Sequence, residues 1–366
     1  MRPRIKPLDQ QVVVVTGASS GIGLATARAF AEAGAAVVLA ARNEEALTEV
    51  CEAIEASGGR AQAVVADVGE PDDVARIARA AIARFGGFDT WVNDAGVGIY
   101  GDSLDIPLED HERLFRTNYF GVVNGSLEAA RHFKERVGGG TIINVGSILS
   151  DMPAPLMGPY VASKHAVKGF TDCLRMDLQR QGVPIRVTLI KPASVGTPFP
   201  DHAKNYMESA ARVPPPVYAP EVVADAILHA AAHPVRNLTV GGAGRQMVAT
   251  YHASPAAAGR LFGALLPPLS TRDASKPPQD SLYAPGPDGQ TRTDAHGSRP
   301  FSIYTEAHKH PGVVLGVAAL GLAAALAWRN RGTLREQAAP LIRQGAERLP
   351  WNRRNGAGED LAETLH

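Results

Sequence analysis

The chain has 366 residues, 45% of them hydrophobic, and its 37 basic side chains are balanced by 37 acidic ones. That length holds one large α/β domain with a good core and leaves sequence over. Zero net charge excludes a bulk electrostatic case for an anionic partner, so no nucleic acid is expected. Two cysteines, Cys51 and Cys173, sit far apart in helical-looking segments. They make neither a disulfide framework nor a metal spacing, so no metal is expected and a reducing compartment is the plain reading. The opening MRPRIKPLDQ is polar and basic and runs directly into a β-like stretch too brief for a signal-peptide core. No export signal is expected.

From Val12 to about Val240, short β-branched runs alternate with segments of helical period, the pattern of a parallel sheet covered on both faces. The predicted strands are VVVV from Val12, VVLA from Val37, QAVVA from Gln62, TWVN from Thr90, TIINVG from Thr141, IRVTLI from Ile185 and NLTV from Asn237. With helices between them they predict a doubly wound, seven-stranded parallel sheet over residues 1–250. A helix is predicted to start near Pro71, where Pro precedes two acids, and to end at Gly86-Gly87. Gly34 and Gly58-Gly59 close the two preceding helices in the same way. Residues 251–310 are predicted to be a Pro/Gly-rich extension and linker. Stretches such as LPPLSTRDASKPPQD hold too little apolar surface to bury. Residues 311–329 are predicted to form an apolar helix, and residues 330–366 a polar tail.

TGASSGIG, from Thr16 to Gly23, falls between the first strand and the first helix. Gly17 permits a tight turn, Gly21 lets the backbone approach a phosphate, and Gly23 allows close helix packing. Ser19, Ser20 and Ile22 share the turn, and the helix N-terminus faces a pyrophosphate. The strand-turn-helix setting makes this a cofactor-binding candidate. Cofactor choice follows from charge, because an acid at the end of the second strand holds the ribose 2′-hydroxyl of NAD and an Arg accommodates the 2′-phosphate of NADP. Here VVLAARNEE places Ala41 where the acid is expected and Arg42 after it, so NADP(H) is favoured over NAD(H). The alternative is that Arg42 is an ordinary surface charge.

YVASK, from Tyr160 to Lys164, opens a helical segment beginning near Pro159. Residues four apart share one helix face, so phenol and ammonium can point to one place, and a fixed cation is expected to lower the phenol pKa from about 10. Ser147 follows TIINVG, at the carboxyl end of the sheet where doubly wound folds bind ligands.

The G-x-x-x-G-x-G spacing, followed by Ser147, Tyr160 and Lys164, resembles the short-chain dehydrogenase/reductase family over about residues 10 to 245. The resemblance implies a Rossmann fold and an enzyme that interconverts a carbonyl and an alcohol by hydride transfer. It implies that Ser147 holds the substrate oxygen and that Tyr160 is the acid/base. Lys164 would bind the nicotinamide ribose and tune Tyr160, and Asn118, in the helix between the fourth and fifth strands, would position a water. Asp67-Val68 match the family's adenine-side pair. Asn93-Asp94-Ala95-Gly96 match its N-A-G element, with Asp94 replacing the more usual Asn. After the sixth strand Pro192 and Thr197 match cofactor-contacting positions, with Ala193 in place of Gly between them. A homo-oligomer is also implied.

The segment from Phe199 to Pro220 falls where the family carries a variable substrate lid. Phe199, Tyr206, Met207 and Tyr218 point to a bulky lipophilic substrate, or else pack the lid onto the sheet. Asp151, Met152 and Met157 are weaker pocket candidates, and His165 is read as outward or packed. The rival functions are a catalytically idle NADP(H)-binding scaffold or sensor, against which the intact Ser, Tyr and Lys set argues, and an epimerase or dehydratase.

From Gly312 to Trp328, 17 residues carry no charge or hydroxyl. As a helix they would span roughly 25 Å, against a hydrocarbon core of about 30 Å. This is a minimal transmembrane candidate, with Trp328, Arg329 and Arg331 as interface anchors. It predicts membrane attachment on the cytoplasmic face. A re-entrant segment, burial against protein, and a soluble cytoplasmic enzyme are the alternatives.

Overall fold

The computed structural model describes residues 4–293 and 297–310, together with positions 312, 320, 325, 328 and 329. Seven parallel strands form one sheet: β1 (Val12–Thr16), β2 (Ala36–Ala41), β3 (Arg60–Val65), β4 (Thr90–Asn93), β5 (Gly140–Val145), β6 (Ile185–Pro192) and β7 (Asn237–Val240). Each overlaps its predicted run. The spatial order is β7-β6-β5-β4-β1-β2-β3. β1 pairs with β2 from Val12↔Ala36 and with β4 from Val13↔Thr90, so the strand order reverses on either side of β1. A crevice opens at such a reversal, beyond the carboxyl ends of the strands.

The helices follow from local chemistry. α1 (Gly21–Glu32) and α2 (Glu44–Ala56) flank β2, and α2 is capped by Asn43, whose side chain accepts from the Ala46 N–H. α3 (Pro71–Phe85) starts on Pro with Asp72 and Asp73 in its first turn and stops at Gly86, which is left-handed at φ 79°. α4 (Leu108–Phe115) and α5 (Gly121–Glu135) are joined by a π-helical turn, Arg116–Phe120. Asn118 therefore lies in a widened turn instead of a regular helix, a feature common at functional sites. α6 (Gly158–Arg180) carries Tyr160 and Lys164 in its first two turns, and α7 (Pro220–Ala232) packs beside α1.

Two apolar layers sandwich the sheet. Val13, Val15, Val37 and Leu39 face α1 and α7, and Val14, Val38, Trp91 and Ile142 face α3 and α5. All eight are fully buried, each stabilising the fold by roughly 1.5–3 kcal/mol relative to exposure. This alternation anchors the strand ends that carry the site.

The expectation for residues 251–310 does not hold. Residues 1–309 form one compact unit. After β7 come α8 (Gly242–Ala253), α9 (Pro255–Leu269) and α10 (Ile303–Lys309). Phe262 and Leu266 of α9 pack with Ile148, Met152 and Val248. The Pro/Gly-rich stretch that follows lies against the domain, with Leu282 completely buried. Its composition was a poor guide because it docks mainly through main-chain hydrogen bonds, which any residue supplies. Residues 310–366 form a second unit. The apolar run and the polar tail lie largely outside the described residues, and among the described residues no helix is long and apolar enough to cross a membrane.

Candidate active site

The turn after β1 is built by close approach. A Cβ at Gly17 would lie 2.8 Å from Ala95 Cα, and Gly17 itself is left-handed at φ 72°. A Cβ at Gly23 would lie 2.1 Å from the Gly17 carbonyl oxygen. Gly23 is thus a packing residue behind the turn. Gly17, Ser19, Ser20, Gly21 and Ile22 line a large cleft along the carboxyl ends of the strands. Arg42, Asp67, Val68, Ala95, Gly96, Ser147, Tyr160, Lys164, Pro192 and Thr197 line the same cleft.

Two predicted residues stand behind its wall. Asn93 is buried in a polar network, accepting from Trp91 Nε1 at 2.8 Å and donating to Ser126 Oγ and Asn144 Oδ1. Asn118 donates to the Val97 carbonyl at 2.9 Å and accepts from the Val97 N–H at 2.8 Å. A third bond, from Asn118 Nδ2, reaches Ser163 Oγ. Its amide pins the loop at Val97, which lines the cleft, and both of its N–H donors are used.

Ser147 caps a short 3-10 turn and accepts from the Leu149 N–H at 3.1 Å. Lys164 Nζ donates to the Val145 carbonyl at 2.9 Å and stands 5.6 Å from the centre of the Tyr160 ring. The Tyr160 ring also meets Phe199 edge-on at 5.3 Å between centroids. Burial pushes the Tyr160 phenol above its ordinary value. The facing Ser147 hydroxyl opposes this and Asp94 adds to it. The net lowering expected from Lys164 is not found, because burial disfavours the phenolate. The lysine itself is brought down to about 8 by burial, against the pull of Asp94. Asp94 rises to about 7, again from burial, opposed by Lys164 and the Gly23 N–H. The Asn-to-Asp departure thus places an ionisable partner beside the lysine, an electrostatic coupling the turn chemistry alone did not reveal.

At the adenosine-side edge, Arg113 Nη2 bonds Asp67 Oδ2 at 2.7 Å. Burial lowers the Arg42 pKa, and Asp67 and Asp288 oppose this. Asp67 is held below the usual carboxylate range: burial raises it, but Arg113, the Gly69 N–H and Arg42 prevail. The hydroxyl of Thr117, which also lines the cleft, is buried and without a protein partner. That orphan, with the glycine turn, fits a polar ligand.

The other end of the cleft is apolar. Leu149, Met152, Met157, Val213, Met247 and Leu266 line it. Met247 and Leu266 come from α8 and α9, which sequence reasoning had placed at or beyond the domain's edge. Of Phe199, Tyr206, Met207 and Tyr218, the four side chains expected to shape the lid, only Phe199 lines the cleft, although Val213 and Pro214 of the same segment also do. Tyr206 donates to Asp110 Oδ2 at 2.5 Å, Met207 packs near Tyr100, and Tyr218 is buried. Asp151 is taken by Lys168 and Lys191. The exposed His165 points its Nδ1 to the Val161 carbonyl.

A sequence profile described as short chain dehydrogenase matches residues 11–207. The chain is 42% identical over 344 residues to the uncharacterized oxidoreductase YxnA of Bacillus subtilis, covering 90% of this chain and 93% of that one. It is 38% identical over 206 residues to 3beta-hydroxysteroid dehydrogenase 1 of Eggerthella lenta, covering 56% of this chain and 77% of that one. A solved short chain dehydrogenase/reductase from Burkholderia phymatum, in complex with NAD, superposes with a TM-score of 0.63 at 28% identity, covering 69% and 96% of the two chains. An alcohol dehydrogenase from Thermococcus sibiricus, complexed with 5-hydroxy-NADP, superposes with a TM-score of 0.54 at 25% identity, covering 63% and 95%. The protein belongs to the short-chain dehydrogenase/reductase family and is an oxidoreductase acting on the CH–OH group.

Proposed function

We propose that the protein interconverts a lipophilic carbonyl compound and its alcohol, using NADP(H) in preference to NAD(H). The observation that carries this is the meeting of Ser147, Tyr160 and Lys164 in one cleft, between a glycine turn and a methionine-rich apolar chamber. The nicotinamide, when bound, supplies hydride to the carbonyl carbon or removes it from the alcohol. Gly17, Ser19, Ser20, Gly21 and Ile22 would hold the dinucleotide at the turn, with Asp67, Val68, Ala95 and Gly96 on its adenosine side and Pro192 and Thr197 on its nicotinamide side. Arg42, at the end of β2 with no acid in the preceding position, favours the 2′-phosphate.

Ser147 Oγ accepts a main-chain hydrogen bond and faces the Tyr160 hydroxyl, and its proton would turn to the substrate oxygen when substrate enters between them. Tyr160 protonates that oxygen as negative charge develops, and in the reverse direction receives the alcohol proton. A phenol kept protonated by burial suits the reducing direction. Lys164, fixed by the Val145 carbonyl, holds a positive charge next to the ring, which favours the phenolate left after proton donation. Asn118 acts in this reading by holding Val97, with the proton-relay water near its turn.

The apolar end, with three methionines that adapt to irregular shapes, supports a lipophilic substrate. The same preference agrees with attachment to a membrane through the apolar run at residues 311–329. Tyr160→Phe is the direct test. The variant should bind cofactor with little change and lose nearly all turnover of apolar aldehydes, ketones and alcohols. Full turnover would remove the mechanism.

A further inference from the structure

Residues 280–290 cross the cofactor-side edge of the cleft as a strap. The strap is tied to the glycine turn by two main-chain bonds, Gly21 N–H to the Gln290 carbonyl and Gly289 N–H to the Ser19 carbonyl, both 2.9 Å. The first N–H of α1, expected to face a pyrophosphate, is therefore already taken by the strap. At its other end Leu282 is buried among Val97, Ile99, Ile106 and Leu114. The Leu282 carbonyl accepts from Arg113 Nε at 3.0 Å and from Arg42 Nη1 at 3.4 Å, and the Ser281 carbonyl accepts from Arg42 Nη2 at 2.5 Å. Asn43 Nδ2 donates to the Gly286 carbonyl between these ends.

The strap therefore fixes the head group of Arg42 instead of leaving it a loose surface charge. A guanidinium has five donors, and these contacts use one from each terminal nitrogen. Beside it the Ser281 hydroxyl lines the cleft, is buried, and has no protein partner. A buried hydroxyl left unsatisfied costs about 1–3 kcal/mol, so its position in a ligand cleft is informative. Of the two acids near Arg42, Asp67 is already bonded by Arg113, and Asp288 is the strap's own.

We propose that the strap is a second wall of the cofactor site and that the Ser281 hydroxyl is a ligand of the adenosine 2′-phosphate, acting with Arg42. The proposal rests on the NADP(H) reading above. It assigns a specificity-determining residue more than 70 positions beyond residue 207, where the family profile ends. Arg42 supplies the charge that a phosphate needs, and Ser281 supplies a neutral donor whose bond to a charged phosphate oxygen is about twice as strong as one to a ribose hydroxyl.

The test is fluorescence titration of NADPH and NADH into the full-length protein and its Ser281→Ala, Ser281→Thr and Arg42→Ala variants. Ser281→Ala keeps the carbonyl that holds Arg42 and removes only the hydroxyl. The expected result is a loss of about tenfold in NADPH affinity with NADH affinity unchanged, restored in Ser281→Thr, since a hydrogen bond to a charged group is worth about that factor. Unchanged NADPH affinity in Ser281→Ala, or equal losses for both cofactors, overturns the Ser281 assignment. Arg42→Ala separates the two levels of argument. If it abolishes the NADPH preference while Ser281→Ala has no effect, the strap assignment alone fails. If instead Arg42→Ala leaves the cofactor ratio unchanged and Ser281→Ala has no effect, the NADP(H) reading fails as well.

Discussion

Leu282→Ala tests whether the strap is docked. Leu282 is 0% exposed and is the apolar anchor of a segment otherwise held by hydrogen bonds, most of them to its main chain. Truncating a buried leucine costs about 2–5 kcal/mol, including the cavity left behind. Here the cost falls on local opening, because the strap can lift away without unfolding the sheet. At the lower bound of 2 kcal/mol the open population rises about 30-fold. The assay is amide hydrogen exchange at single-residue resolution. Gly289 and Gly21 donate across the strap, so their exchange should quicken by about 30-fold or more, while the β1 and β2 amides, paired from Val12↔Ala36, keep their protection. Two results would refute the reasoning: Gly289 exchanging in the wild type as fast as an open chain, or the β1 amides accelerating as much as Gly289. The first would mean no docked strap, and the second that Leu282 belongs to the global core.

Asp94→Asn removes the carboxylate that supports the Lys164 ammonium. Lys164 titrates at about 8 with Asp94 raising it, so the variant should lower that value. Cofactor affinity that depends on the ammonium should then weaken at lower pH as pH rises; a titration series showing the weakening unmoved or moved to higher pH contradicts the coupling. For the apolar run, full-length protein should sediment with membranes while a chain ending at Lys309, the limit of the compact unit, stays in the supernatant. Equal partitioning of the two argues against a membrane tether.

Much of the fold was legible because strand formation here is local. Runs such as VVVV at Val12 and IRVTLI at Ile185 announce themselves by β-branching and by the turn residues around them. The glycine turn and the Tyr160/Lys164 pair were legible for the same reason, since their spacing is their geometry. Asn93 and Asn118 were harder. Both were placed in the site by resemblance, yet their amides serve buried neighbours, Asn144 and Val97, that sequence separation conceals. The direction of the Tyr160 shift also lay beyond local reasoning, because it depends on how much protein surrounds the phenol.

What the sequence alone determined was therefore the sheet, its helices and the chemical identity of the catalytic groups, all set by contacts within a turn or a strand. Only the tertiary structure decided that residues 280–290 are a wall of the cleft and no linker. The Leu282 side chain, the Tyr283 hydroxyl bonded to Asp110 and a series of main-chain groups hold that wall in place. Carbonyls are common to every residue, so the partners they find across 240 positions leave no mark on composition.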